Sequence, residues 1–316
     1  MNILSEILQA EQRIRSYVRT TPLAYSPHFS QFNDGEVHFK LENVQHPGSF
    51  KVRGALNKIS SLSAEQREQG IITASTGNHG AATAYALQKI GGNGRVFVPE
   101  HAAEAKLNNM RQWGATIQKY GNDGVVAENK ARETAEAEGI TYVSPYNDPQ
   151  VIGGQGTIGV ELGRQIDHLD AVFIALGGGG LLSGVATYVK AIWPDIDVVA
   201  CSPENSAVMR HCVEAGEIID EESLPTLSDG TAGGVEAGSV TFPLCQQLID
   251  QFIDVSEKEI ASALRQFMGQ EHMMIEGAAA VAIAGFLKMA QRYQGKKVAI
   301  IICGANISLK QLQTVL

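Results

Sequence analysis

The sequence predicts an α/β protein of two interleaved domains, each a mostly parallel sheet with helices on both faces. Three observations predict it. Strand-like apolar runs alternate with helix-like runs over most of the chain, the pattern of parallel sheets wound with helices. The 316 residues suggest about two domains or one large one. Residues 70–146 hold a self-contained series of four strands and three helices, so they are expected to form a small domain inserted into a larger one made of 1–69 and 147–316.

The elements follow in order. The first twenty residues carry charges throughout and read as an amphipathic helix rather than a leader. Pro47 and Gly48 mark a turn, and Ser49 is a candidate helix cap. Val52, Ala55, Leu56 and Ile59 then give 51–61 helical spacing. In the inserted unit 70–75, 95–99, 115–120 and 140–144 read as strands, with helices over 79–90, 102–112 and 124–137. Helix 156–166, strand 170–176, helix 181–192 and strand 197–202 follow. Helices 257–271 and 276–291, strand 297–303 and a short helix end the chain.

Composition excludes several function classes. A net charge of −9 with no Lys/Arg stripe argues against nucleic acid. The apolar runs are too short to span a membrane. Cys201, Cys212, Cys245 and Cys303 form no CxxC pair and have no histidines at metal spacing. No metal ligand set is therefore assigned, and a reducing, cytoplasmic location is expected.

In such a fold ligands bind at the carboxyl ends of strands. Three strand ends carry unusual turns: "STGNHG" (75–80), "GGGGLLSG" (177–184) and "CGAN" (303–306). Four consecutive glycines between a strand and a helix expose backbone amides that can cradle a phosphate. A dinucleotide is disfavoured, because GxGxxG would need glycine where Leu182 stands, and strand 197–202 ends without an acid for a ribose. One phosphate fits better than a pyrophosphate.

Lys51 stands in the first turn of its predicted helix, where the helix dipole disfavours a cation. Such a lysine is either a surface charge or a nucleophile and Schiff-base former. With a single phosphate and several strand-end turns, the second reading points to pyridoxal phosphate, whose ring is an electron sink.

"GSFKVRGA", "STGNHG", "GGGGLLSG" and "CGAN", in this order and at these separations, resemble the fold type II pyridoxal-phosphate enzymes, specifically the threonine dehydratase and serine racemase group. The resemblance runs from about Thr21 to the end and implies a fold like that of the tryptophan synthase β subunit. It implies that Lys51 holds the cofactor as a Schiff base and, once displaced by substrate, takes the α-proton, with Phe50 beside the ring. Asn78 would donate to the phenolic oxygen. The amides of Ser75, Thr76, Gly77, Asn78 and His79 would hold the substrate carboxylate, and those of Gly177, Gly178, Gly179, Gly180 and Leu181 the phosphate. Cys303 would face the pyridine nitrogen, where the group commonly has Ser or Thr. A thiol is a weak donor, which leaves that nitrogen unprotonated. Simpler readings stand beside these. His79 could be an ordinary first-turn residue, Cys303 a packed thiol, and Glu276 either a helix-end acid or a neighbour of the ring.

Departures from the resemblance shape the expected function. Thr76 stands where serine racemases carry a proton-donating serine and biosynthetic dehydratases an alanine, so it is a candidate catalytic residue. Ser202 and Val208 replace the racemases' acidic cation ligands, with Glu204 nearby, and no arginine follows the third strand. The chain ends thirteen residues after Cys303, where biosynthetic dehydratases continue into a regulatory domain, so a catabolic, unregulated or differently specific dehydratase is expected. The expected activity is an ammonia-lyase that converts a β-hydroxy-α-amino acid such as L-threonine or L-serine to a 2-oxo acid and ammonia, in a homodimer as is usual for the family. The alternatives are an amino-acid racemase, or a 3-hydroxyaspartate dehydratase that would need a cation from Arg53 or His46. A non-catalytic cofactor-binding protein is a further one. "LSDGTAGGVEAG" and "HMMIEGAA" most resemble the dehydratase-like proteins associated with hydroxyectoine use.

Overall fold

The computed structural model describes residues 2–316. Its first half contains α1 (Ile3–Ile14), β1 (Leu23–Tyr25), α2 (Pro27–Ser30), β2 (Glu36–Leu41), α3 (Lys51–Ser61) and α4 (Ala64–Gln69). β3 (Ile71–Ala74), α5 (Asn78–Ile90), β4 (Gly94–Val98), α6 (Glu104–Gln112), β5 (Thr116–Lys119), α7 (Gly124–Glu138) and β6 (Thr141–Tyr142) follow. The second half contains α8 (Pro149–Gln165), β7 (Ala171–Ala175), α9 (Gly180–Ile192), β8 (Asp197–Pro203), α10 (Val208–Ala215) and α11 (Thr241–Leu248). β9 (Gln251–Val255), α12 (Glu257–Glu271), α13 (Gly277–Met289), β10 (Lys297–Ile302) and α14 (Leu309–Val315) complete it.

The strands form two sheets. One has six strands in the order β1-β2-β10-β7-β8-β9, antiparallel only at β1 and β2. The other has four parallel strands in the order β5-β4-β3-β6. Parallel pairing buries both faces, so β3, β7 and β10 are almost wholly apolar. The Ala-rich α13 lies on β7, β8 and β10, its small residues allowing the helix to settle close to the sheet.

Two features depart from the apolar-run pattern. Strand β2 reads Glu-Val-His-Phe-Lys-Leu, and Lys40 is fully buried because Glu161 accepts from its ammonium at 2.5 Å. Helix α8 starts at Pro149, seven residues before the position the periodicity predicts, with Asp148 capping the amides of Gln150 and Val151. The missed turns hold Gly153 and Gly154, which are poor helix formers. Close approach explains Gly154: a Cβ there would sit 2.6 Å from the Cα of Gly54. Helices α3 and α8 therefore touch backbone to backbone beside Lys51.

A buried ion cluster fixes that contact. The Arg53 guanidinium donates to Glu42 at 2.7 and 2.8 Å and to Glu161 at 2.7 Å, all inside the protein. Burial alone would push the Glu161 carboxyl up, but Arg53 and Lys40 outweigh it and hold the group below its usual range. Among the described residues no helix is long and apolar enough to cross a membrane.

Candidate active site

The parallel topology brings the carboxyl ends of β3, β6, β7 and β10 to one cleft, and the start of α3 enters it. Its docking point is the end of β10. Ser49 pairs with Gly304 in an isolated antiparallel bridge, Phe50 N donates to the Cys303 carbonyl at 3.0 Å, and Ala305 N donates to Gly48 O at 2.9 Å. Ser49 is not the helix cap the sequence suggests. Phe50 holds that position, since the bridge to Gly304 fixes the backbone one residue earlier, and the Ser49 hydroxyl is buried with no partner.

Lys51 is partly buried in the first turn of α3, with its ammonium nitrogen 5.3 Å from the centre of the Phe50 ring. It donates to the Pro145 carbonyl at 2.8 Å. Burial lowers its pKa to about 8, so far more of the amine is neutral near physiological pH than in a free lysine.

The turn after β3 supplies Ser75, Thr76 and Gly77, followed by Asn78 and His79 in α5. The Ser75 hydroxyl accepts from Gly77 N at 3.1 Å, and Thr76 is partly buried at the turn. Gly77 caps α5 with no side-chain bond, leaving first-turn amides unclaimed by a side chain. Asn78 donates to both carboxylate oxygens of Glu276 at 2.9 Å and accepts from Asn306 at 2.6 Å. Glu276 also accepts from Asn306 N at 3.2 Å and from the Cys303 thiol at 3.8 Å. Burial pushes both the Glu276 carboxyl and the Cys303 thiol up. The structure thus places Glu276 between Asn78 and Cys303. It also stands at the head of α13, but without a side-chain cap bond.

The glycine run follows β7. Gly179 has φ +84° and caps α9 without a side chain, so this helix start also keeps free amides. A Cβ on Gly178 would lie 2.5–2.7 Å from the Tyr146 ring, and one on Gly177 2.7 Å from the Thr231 carbonyl. Thr241 Oγ1 donates to Gly178 O at 2.7 Å. Leu181 is buried in the first turn of α9. A side-chain-free cradle at one helix start, a second unclaimed helix start, and a desolvated lysine held at the Pro145 carbonyl fit a group with one phosphate and one aldehyde.

The residues the sequence singles out therefore gather here, with Tyr146, Asn147 and Asn306 beside them. These three are not among the predicted residues. Tyr146 and Asn147 carry the signal "SPYND", a Ser-Pro and Asn-Asp turn just after a strand, and Asn306 closes the "CGAN" turn. Arg53 does not enter the cleft, being buried against Glu42 and Glu161. His46 is stacked on Tyr85 at 5.3 Å. Glu204 lies 3.8 Å from Lys288, and among the described residues no group of three His, Cys, Asp or Glu could hold a metal.

Known proteins are similar to this chain in sequence and fold. The L-threonine ammonia-lyase of Thermotoga maritima is 38% identical over 316 residues, which is 100% of this chain and 78% of that protein. The processed form of threonine deaminase isoform 2 from Solanum lycopersicum superposes with a TM-score of 0.95 at 34% identity, covering 99% of this chain and 91% of the other. Serine racemase from Dictyostelium discoideum superposes with a TM-score of 0.89 at 36% identity, covering 97% and 99%. With residues 14–304 matching the profile described as "Pyridoxal-phosphate dependent enzyme", the chain belongs to that family and depends on pyridoxal phosphate.

Proposed function

We propose that the protein is an ammonia-lyase that turns a β-hydroxy-α-amino acid, L-threonine or L-serine, into a 2-oxo acid and ammonia. The observation that carries this reading is Lys51. Its amine is held at the Pro145 carbonyl at 2.8 Å beside the Phe50 ring, and burial lowers its pKa to about 8. Bound pyridoxal phosphate supplies an electron sink for the pair left behind when an α-proton is removed.

The chain's own groups do the rest. Lys51 is the amine that would hold the cofactor and, when free, would take the α-proton. Amides of Ser75, Thr76, Gly77, Asn78 and His79 bind the substrate carboxylate at the start of α5, where the positive end of the helix favours an anion. Gly177, Gly178, Gly179, Gly180 and Leu181 bind the phosphate. Phe50 would pack beside the ring. Asn78 and Cys303, both joined to Glu276, would meet the ring's polar atoms, with Glu276 fixing their orientation.

A second reading, racemisation, is supported by the hydroxyl of Thr76 in the carboxylate turn. Hydroxyaspartate is disfavoured, since Arg53 is occupied by two carboxylates. We also propose a homodimer in the cytoplasm, divided into 1–69 with 147–316 and 70–146. The division is supported by the four-stranded sheet, whose strands all lie within residues 71–142. Assaying 2-oxo acid release from L-serine, L-threonine and both 3-hydroxyaspartate diastereomers, with the stereochemistry of leftover substrate, tests the function. Release from threonine or serine supports it, whereas scrambled stereochemistry without release would make the protein a racemase.

A further inference from the structure

The turn that leaves β6 ties the parts of the cleft together. Val143 N donates to Ile72 O at 2.8 Å, and Val143 O accepts from Thr73 Oγ1 at 2.8 Å and His79 Nε2 at 3.0 Å. The Ser144 hydroxyl, buried, accepts from Asn147 N at 3.0 Å and Tyr146 N at 3.4 Å. Tyr146 packs under Gly178 and accepts from Glu236 N at 2.9 Å. Asn147 donates to Glu236 at 2.9 Å and accepts from Val240 N at 2.9 Å. Between these fixed points stands the Pro145 carbonyl, 2.8 Å from the Lys51 nitrogen.

We propose that the Pro145 carbonyl is the holding point of the Lys51 amine while that amine works as a free base, and that Ser144 is the positioning residue that aims the carbonyl. This rests on the lyase reading above. A lysine released from a covalent bond regains a long flexible stem, yet a general base must stay within hydrogen-bond reach of its proton. A backbone carbonyl suits the task. It accepts one N–H of the neutral amine without taking a proton from it, so the nitrogen lone pair stays directed elsewhere. Once the amine has gained a proton, the same bond is charge-assisted and stronger, which favours the product of the transfer. A carboxylate there would instead keep the lysine charged from the outset. The Ser144 hydroxyl closes the turn through two amides, the usual way a serine fixes local backbone.

The test weakens the acceptor without changing a side chain. Replacing Tyr146 by its α-hydroxy acid turns the 145–146 amide into an ester, whose carbonyl is a poor acceptor. Ser144→Ala and Ser144→Thr perturb and restore the turn. Two quantities are read: kcat and KM of the holoenzyme, and acetylation of Lys51 relative to Lys310 by limiting acetic anhydride in the full chain freed of cofactor. The ester should raise the labelling ratio about threefold and lower kcat about fivefold or more with KM within twofold. Ser144→Ala should shift both the same way, and Ser144→Thr should return toward wild type. Unchanged labelling and kcat in the ester protein overturn the proposal, and so does a rise in KM alone, which would assign the carbonyl to substrate. If Ser144→Ala fails to fold, the ester decides. A wild-type chain without turnover would refute the lyase reading, and the labelling ratio would still decide this one.

Discussion

His79 Nε2 lies 3.0 Å from the Val143 carbonyl oxygen, while its Nδ1 is buried without a partner. Burial, with the Lys51 charge adding to it and the Val143 bond opposing it, lowers the imidazole pKa to about 3. Between that value and about 6.5 the unfolded chain binds a proton that the folded chain does not. The folded state therefore loses stability as pH falls through this window, by about 2 kcal/mol at pH 5. His79→Gln keeps a donor for Val143, and its unfolding free energy should fall less between pH 7.5 and 5 by about that amount. Equal acid sensitivity in urea titrations of the two proteins would place a charged histidine at this position.

Lys51 gives a second pH signature. A lysine lowered to about 8 by burial is half neutral there, well below the 10.5 at which a free side chain is. The rate of cofactor capture by the cofactor-free chain should rise with pH and level off above about 8. A rate still climbing near pH 10 would mean that the amine is solvated.

The glycine cradle is tested at Gly178, where a Cβ would meet the Tyr146 ring at 2.5–2.7 Å. Overpacking of this kind costs about 1–3 kcal/mol, so Gly178→Ala should weaken cofactor binding roughly tenfold. Equilibrium titration of the visible absorbance band measures it. An unchanged affinity would move the phosphate away from this run.

Arg53 is predicted to matter for stability. Arg53→Met leaves Glu42 and Glu161 buried with less charge compensation, and removing one partner of such a cluster costs about 3–5 kcal/mol. Denaturant unfolding reads this directly. A loss under about 1 kcal/mol would show that the carboxylates find protons or water instead.

The strand-end turns were legible because parallel α/β architecture puts ligands there, and because glycine runs and an out-of-place lysine are visible in one dimension. Lys51, Asn78 and the Gly177–Gly180 run needed little more. What the periodicity hides is set by tertiary contact. Strand β2 carries Lys40, which looks solvent-facing until Glu161 is found beside it, and the first turns of α8 hold glycines that make sense only against α3. Ser49 resembles a cap and is displaced by its bridge to Gly304, a residue 255 positions later. Tyr146 and Asn147 lie in the turn after β6, which carries no glycine to single it out among the strand ends. Glu276 reads equally as a helix-end acid and as a ring neighbour in the sequence, and only tertiary contact shows that it makes no cap bond and is met by Asn78, Cys303 and Asn306.

The central claim is that Lys51 drives loss of ammonia from a β-hydroxy amino acid. The most direct measurement is 2-oxo acid release from L-threonine and L-serine by the purified protein and by Lys51→Ala. The account predicts release by the wild type, together with a visible cofactor band, and loss of both in a variant that stays folded by circular dichroism. Release retained in Lys51→Ala, or none from the cofactor-loaded wild type, would contradict it.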